Sequence, residues 1–306
     1  MEKLSALDNL KIIVLAEDSV LYESPYLGQH GLSLLLEGTS GGNTKRILVD
    51  VGQNSEALLI NMQTLGISPS IINAIVLTHC HYDHTQGITH MLREIGKEDI
   101  KVIAHPDIFR PHFVTQPNHR NVGIGQGDSK VEIEAAGGNL SLTKEPFLIM
   151  PGVITTGEVK RRTKFEKAMT GLKTIENGMI VDDPILDDIS MIANLKDRGL
   201  VIITGCSHAG IINIVNQATE ITDCNKIEAI IGGLHLIEAS DTVIRRTIEE
   251  LSKLNVAWVS AGHCTGFKAQ VELYLAFGEK FLPLHTGMQF DLMSMERLKI
   301  KPISMR

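Results

Sequence analysis

Short apolar runs alternate with longer amphipathic stretches along the chain, and this rhythm predicts an α/β fold. Residues 11–15 carry Ile12, Ile13, Val14 and Leu15 in a row, as a strand buried on both faces does. Apolar runs over 34–37 and 46–49 flank the glycine-bearing stretch 39–43, so the pair reads as a hairpin. Residues 55–65 place Ala57, Leu58, Leu59, Met62 and Leu65 at helical spacing, with Ser55 to cap the helix and Gly66 to close it. The β-branched run over 74–77 predicts a further strand. A helix over 86–95 and a strand over 101–104 follow, which is the order of a helix packed outside a sheet.

The second half repeats this plan. Strands are predicted over 189–193, 200–204, 227–231 and 257–260, and helices over 211–218, 241–254 and 267–277. Between the halves, residues 105–175 lose the rhythm. Pro106, Pro111, Pro117, the glycines at 123, 125 and 127, and Gly137-Gly138 argue against regular helices there. An irregular insert that serves as a lid is the expectation. The glycine run does not follow a strand and open a helix, so it is not a nucleotide loop.

At 306 residues, one large domain over 1–306 carrying that insert is the expected organisation. A net charge of -7 gives no basic field for nucleic acid, and 4% aromatic residues give no base-stacking surface. No apolar run approaches the roughly eighteen residues of a membrane span. Met1-Glu2-Lys3-Leu4 leads into mixed polar sequence without the apolar core of a signal peptide, so the cytoplasm is the expected location. Of the four cysteines, Cys80, Cys206 and Cys264 adjoin histidine motifs. They are expected to stay reduced and pack beneath a site; direct metal ligation, by Cys206 first, is the alternative.

The chemistry concentrates in Thr78-His79-Cys80-His81-Tyr82-Asp83-His84, where the strand over 74–77 ends. His79 and His81 are two apart, so on extended backbone both project to one side. Three imidazoles and a carboxylate within six residues suit a divalent metal of the zinc, iron or manganese type. His208, His235 and His263 likewise follow predicted strands, beside glycines that let backbone approach closely. Strand ends along one sheet edge converge, so a shared site is expected. His30 either caps a loop or lines the pocket and is carried as a substrate contact. Lys160, Arg161, Arg162 and Lys164 read as an anion contact, centred on Arg161 and Arg162, or as a solvated basic face.

The pattern His-x-His-x-Asp-His after a strand resembles the metallo-β-lactamase fold superfamily. That resemblance implies an αββα four-layer sandwich, with two mixed β-sheets flanked by helices and a metal site at the sheet edge. It also implies hydrolysis by a metal-bound hydroxide. Gln29-His30-Gly31-Leu32-Ser33, Thr156-Gly157-Glu158-Val159, the loop from Thr204 to Gly210, Gly233-Leu234-His235-Leu236 and Gly262-His263-Cys264-Thr265-Gly266 look like one branch of it. This branch is named after 7,8-dihydropterin-6-methyl-4-(β-D-ribofuranosyl)aminobenzene-5'-phosphate synthase, and the likeness runs over nearly the whole chain.

The resemblance implies two divalent ions, zinc first, with iron or manganese as alternatives. His79, His81 and His208 would hold one ion, and Asp83, His84 and His263 the other. Asp50 would support the loop by hydrogen bonds, and Cys206 would lie beside the ligands. No aspartate follows the strand over 200–204, so a bridging carboxylate is missing. Asp83 or His235 would move the proton, with His235 facing substrate or holding a third ion. The expected function is hydrolysis of a small anionic phosphoester, an ester or a lactone. The alternative is a synthase or transferase acting on a ribosyl-phosphate and an arylamine in pterin biosynthesis. The sequence leaves the oligomeric state open, a homodimer included.

Overall fold

The computed structural model describes residues 4–166 and 171–293. Residues 1–3 of the N-terminal reading and 167–170 of the expected insert lie outside them. Two seven-stranded mixed sheets carry the fold. The first runs Gln289–Asp291, Asn9–Ala16, Ser33–Ser40, Asn43–Val49, Ala74–Val76, Ile100–Ala104, Gly138–Leu142. The second runs Phe281–Pro283, Trp258–Gly262, Ile227–Gly233, Gly199–Thr204, Met191–Leu195, Val153–Thr155, Leu148–Met150. Each sheet is antiparallel on one side and parallel on the other.

The apolar runs are continuous because both faces of these strands are covered. Leu10, Ile12 and Val14 point between the sheets, where they meet Met191, Val201, Ile203 and Ile231. Ile13 and Leu15 point the other way, under Leu58 and Met62 of the helix Ser55–Thr64 and Leu92 of Ile88–Ile95. On the far side, Ile202 and Ile230 lie under the helices Ile211–Thr222, Asp241–Lys253 and Phe267–Phe277. The result is the expected four layers, helix–sheet–sheet–helix.

Several elements differ from the sequence expectation. The first helix is capped by Asn54, not Ser55: the Asn54 side chain accepts from the backbone of Glu56 and Ala57. The helix expected over 86–95 begins two residues late, because Gly87 has a φ of 92° that no continuous helix tolerates. A single turn, Tyr82–Thr85, precedes it and the helix proper starts at Ile88. Gly87 has no side chain to cap with, so Asp128 caps from a distance, accepting from Gly87 and Thr89 at 2.8 and 2.9 Å.

The stretch 105–175 is not irregular throughout. Lys130–Ala135 is helical despite the glycines around it. Gly137, at φ 94°, ends that helix and releases Gly138–Leu142 to pair in parallel with Ile100–Ala104. Leu148–Met150 and Val153–Thr155 complete the second sheet. What remains builds a small four-stranded sheet with Met179–Asp182. Its neighbourhood packs Val114, Val122, Leu172 and Ile185 against Tyr82 of the histidine loop. Among the described residues, no helix is long and apolar enough to cross a membrane.

Leu36 is fully buried between the sheets. Leu36→Ala should lower stability by about 2–5 kcal/mol. Val131→Ala, at a position 71% exposed, should stay within about 0.5 kcal/mol. Urea unfolding measures both, and a neutral Leu36→Ala would contradict the layering.

Candidate metal centre

The parallel strands of the second sheet end level with one another. Thr204 pairs with Gly232, and Gly232 with Ala261, so the loops carrying His208, His235 and His263 leave from one edge. In the first sheet Val49 pairs with Val76, which places Asp50 beside the histidine loop. Asp50, Ser207, His235 and His263 have φ values of 57°, 65°, 44° and 50°. Left-handed backbone at non-glycine residues costs about 1 kcal/mol or more each and concentrates at functional sites. Here it turns the chain sharply at each strand end.

The structure brings all six expected histidines together. His79 Nε2 lies 3.1 Å from His81 Nδ1, and the rings of both lie 4.8 Å from that of His208. His84 Nε2 lies 3.2 Å from His263 Nε2, and Asp83 Oδ2 lies 3.2 Å from the same atom. The His235 ring lies 4.1 Å from that of His208, tilted by 44°. His30 reaches the rim, its Nε2 3.5 Å from Asp83 Oδ2. Cys206 Sγ sits 3.2 Å from His84 Nε2. All four cysteines are free thiols.

Hydrogen bonds fix which ring nitrogens face inward. Asp50 is fully buried and accepts from the Thr78 amide, the Thr78 hydroxyl and His84 Nδ1, each at 2.7 Å. The inward nitrogen of His84 is therefore Nε2. Two acidic residues that the sequence reading missed do the same for His263. Glu17 Oε1 accepts from the His263 amide at 2.5 Å, and Asp18 Oδ2 contacts His263 Nδ1 at 2.5 Å. Asp18 Oδ1 also meets His30 Nδ1 at 3.0 Å. Burial alone would raise the Asp18 carboxyl, but its bonds from His263 and His30 bring it down to about 2. Asp187 and Asp188, also missed, accept from the amides of Cys80 and Ala209 at 2.7 Å each.

These residues fit a metal centre. Burial holds His79 and His208 well below the usual imidazole range and brings His81 down to about 3, so all three are neutral at pH 7, the form a metal ligand needs. His81 Nε2 and both ring nitrogens of His208 and His235 are buried without a hydrogen-bond partner. Unsatisfied buried nitrogens are costly, and a cluster of them converging on carboxylate and thiol is what an ion relieves.

A cavity of about 420 Å³ opens beside His208 and His235, walled by Phe165, Glu166, Leu234 and Val243. The basic run does not converge on it. Arg162 pairs with Glu220 on the outer helix, and Arg161 donates to the Ile185 carbonyl at 2.9 Å. Neither lines the cavity.

A family model of the Metallo-beta-lactamase superfamily matches residues 28–162. A protein of Methanocaldococcus jannaschii is 44% identical over 92% of this chain and 96% of its own. Its name is 7,8-dihydropterin-6-methyl-4-(beta-D-ribofuranosyl)-aminobenzene-5'-phosphate synthase. The chain belongs to the metallo-β-lactamase superfamily, in the branch of that protein. A second, uncharacterized protein of the same organism is 34% identical over 86% of the chain and 93% of its own. A solved structure described as a metal-dependent hydrolase of the β-lactamase superfamily superposes with a TM-score of 0.75 over 92% of this chain and 98% of its own. At 24% identity that likeness shows the fold alone.

The expectation of a hydrolase is corrected here. It rested on what metallo-β-lactamase folds usually do, whereas the relative 44% identical over nearly the full chain is named for a synthase. The fold is shared with a solved metal-dependent hydrolase, so the fold alone could not separate the two chemistries.

The braces give a test within this metallo-β-lactamase site. Asp50→Ala frees His84 Nδ1 and leaves the Thr78 amide without an acceptor. Loss of such an outer partner should weaken metal affinity about 10–100-fold. Gly205→Ala should do comparable harm, since a Cβ there would stand 2.1 Å from Thr78 Oγ1 and 3.0 Å from Asp50 Oδ2. Competition with a chromophoric chelator reads both, and unchanged affinity in Asp50→Ala would remove the bracing role.

Proposed function

We propose that this chain is a transferase of the 7,8-dihydropterin-6-methyl-4-(β-D-ribofuranosyl)aminobenzene-5'-phosphate synthase type. The observation that carries the reading is the 44% identity to the protein of that name, over 92% of this chain. The product's name describes the bond to be made: a dihydropterin 6-methylene joined to an aminobenzene nitrogen. The arylamine lone pair attacks the methylene carbon. The bond from that carbon to a phosphate or diphosphate ester oxygen breaks with its electron pair, and the amine loses one proton. Both reactants are small and anionic.

The residues divide these tasks as follows. His79, His81 and His208 would hold one divalent ion, and Asp83, His84 and His263 the second, with zinc the first candidate. When bound, the ions supply positive charge for phosphoryl oxygens of the leaving group. Asp50 and Asp18 keep His84 and His263 aimed inward. His235 faces the cavity with both ring nitrogens unpartnered, so it can take the amine proton. Phe165, Leu234 and Val243 give an apolar wall that suits a flat heterocycle and excludes water.

The direct test supplies the metal-replete chain with a 6-hydroxymethyl-dihydropterin diphosphate and the ribofuranosyl-aminobenzene phosphate. Mass spectrometry should find the condensed product together with released diphosphate. No condensation by a chain that holds about two ions overturns the reading. His235→Ala should retain the metal complement and lose most turnover, while His81→Ala should lose metal and turnover together. If His235→Ala strips an ion as His81→Ala does, His235 is a ligand and not the base.

A further inference from the structure

We infer that the Cys206 thiolate bridges the two ions, so that the centre is built around a sulfur. The inference rests on the two-ion reading and adds to it the ligand that neither half of the histidine set supplies. Two of the candidate trios divide the histidines, one holding His79 and His208 and the other His84 and His263, while a third joins Cys206 to His235 and Cys264. Among the described residues, Cys206 alone belongs to both of the first two, its sulfur within 4.8 Å of every partner atom. Asp83 does not reach both. Its Oδ2 lies 3.2 Å from His263 Nε2, 3.6 Å from His84 Nε2 and 3.5 Å from His30 Nε2, all on the second side.

The aim of the sulfur distinguishes a ligand from a packed thiol. His84 gives its Nδ1 to Asp50, so its Nε2 is the atom that faces metal. Cys206 Sγ lies 3.2 Å from that same Nε2, and His263 Nε2 also lies 3.2 Å from it. Two ligands at about 2.0 and 2.3 Å on a tetrahedral ion are roughly 3.5 Å apart, so these spacings are those of ligands around one ion.

Local backbone explains why the sulfur arrives there. Gly205 passes against Thr78 and Asp50 with no room for a Cβ. Ser207, at φ 65°, then reverses the chain so that Cys206 and His208 both reach the cluster. Gly233 completes the fit, since a Cβ there would stand 2.5 Å from the Cys264 sulfur and 3.3 Å from the Cys206 Cα. A buried thiol in apolar surroundings is inert, but two cations convert it to thiolate, its proton leaving to solvent as metal loads. Sulfur selects softer ions, which favours zinc over manganese.

Cadmium tests this, because its NMR shift reports thiolate in each coordination sphere. The apoprotein loaded with two equivalents of cadmium-113 should show two resonances, both displaced to the thiolate-bound range. Cys206→Ser should remove the displacement from both and weaken both sites at least tenfold, and Cys264→Ser should leave both displaced. Two bound ions with only one displaced resonance in the unmodified protein make the thiolate terminal and overturn the bridge. A displacement that survives Cys206→Ser, or vanishes in Cys264→Ser, assigns the sulfur to Cys264 and overturns it equally. Two ions with imidazole-only shifts overturn the bridge and leave the two-ion reading standing. A chain that takes up no cadmium overturns both. If a variant fails to fold, scalar coupling between the two cadmium-113 resonances of the unmodified protein, which only a shared sulfur carries, decides the matter, and its absence overturns the bridge.

Discussion

The buried carboxylate of Asp50 is the constraint on which the rest of the site depends. A carboxylate removed from water loses several kcal/mol of solvation unless donors replace it. Asp50 has three: the Thr78 amide, the Thr78 hydroxyl and His84 Nδ1. These donors lie in the histidine loop, so satisfying the charge fixes that loop to the end of Asn43–Val49. The backbone carbonyl of Asp50 is held as well, accepting from the Ser33 hydroxyl at 2.8 Å. Gly205 then lets the second sheet close against the same carboxylate. The two halves meet at Asp50 because no larger residue would let them.

A second acidic pair works at the opposite side of the site. Glu17 and Asp18 follow directly after the strand Asn9–Ala16 and take the amide and the Nδ1 of His263. His84 and His263 are thereby held from behind by carboxylates on two different strand ends. His79 Nδ1 is held by the Thr78 hydroxyl at 3.0 Å. His208 and His235 have no such partner on either nitrogen. The half of the centre next to the cavity is thus the half whose imidazoles are least tied, which suits a place where substrate enters.

The layers were legible in the sequence because strands covered on both faces read as unbroken apolar runs, and the outer helices keep helical periodicity. The histidine loop was legible because polar groups of one kind are rarely so dense. Asp128, which caps a helix from some forty residues away, left no periodic sign. Neither did Glu17 and Asp18, which look like ordinary charged residues at the start of a loop, nor Asp187 and Asp188. Their roles depend on which backbone amides pass overhead, and that is a property of the closed fold. The run around Arg162 left two readings open, an anion contact or a solvated basic face, for the same reason. Its positive charge was visible, but its partner Glu220 sits on a helix whose orientation the sequence did not reveal.

Hydrolysis and condensation differ less in the ions they use than in the nucleophile admitted to them. Water is the abundant competitor for any activated methylene, so a condensing site must exclude it or leave it unactivated. The apolar wall of Phe165, Leu234 and Val243 addresses the first requirement. A thiolate at Cys206, if it held both ions as inferred above, would address the second, because it would supply the negative charge that water would otherwise bring. An arylamine needs no such activation, since its nitrogen is already neutral at pH 7 and has only to lose a proton after attack. An unpartnered imidazole beside the cavity is enough for that. On the proposed reading, the same αββα frame would serve condensation if sulfur lay at the centre, with the apolar side chains already lining the approach.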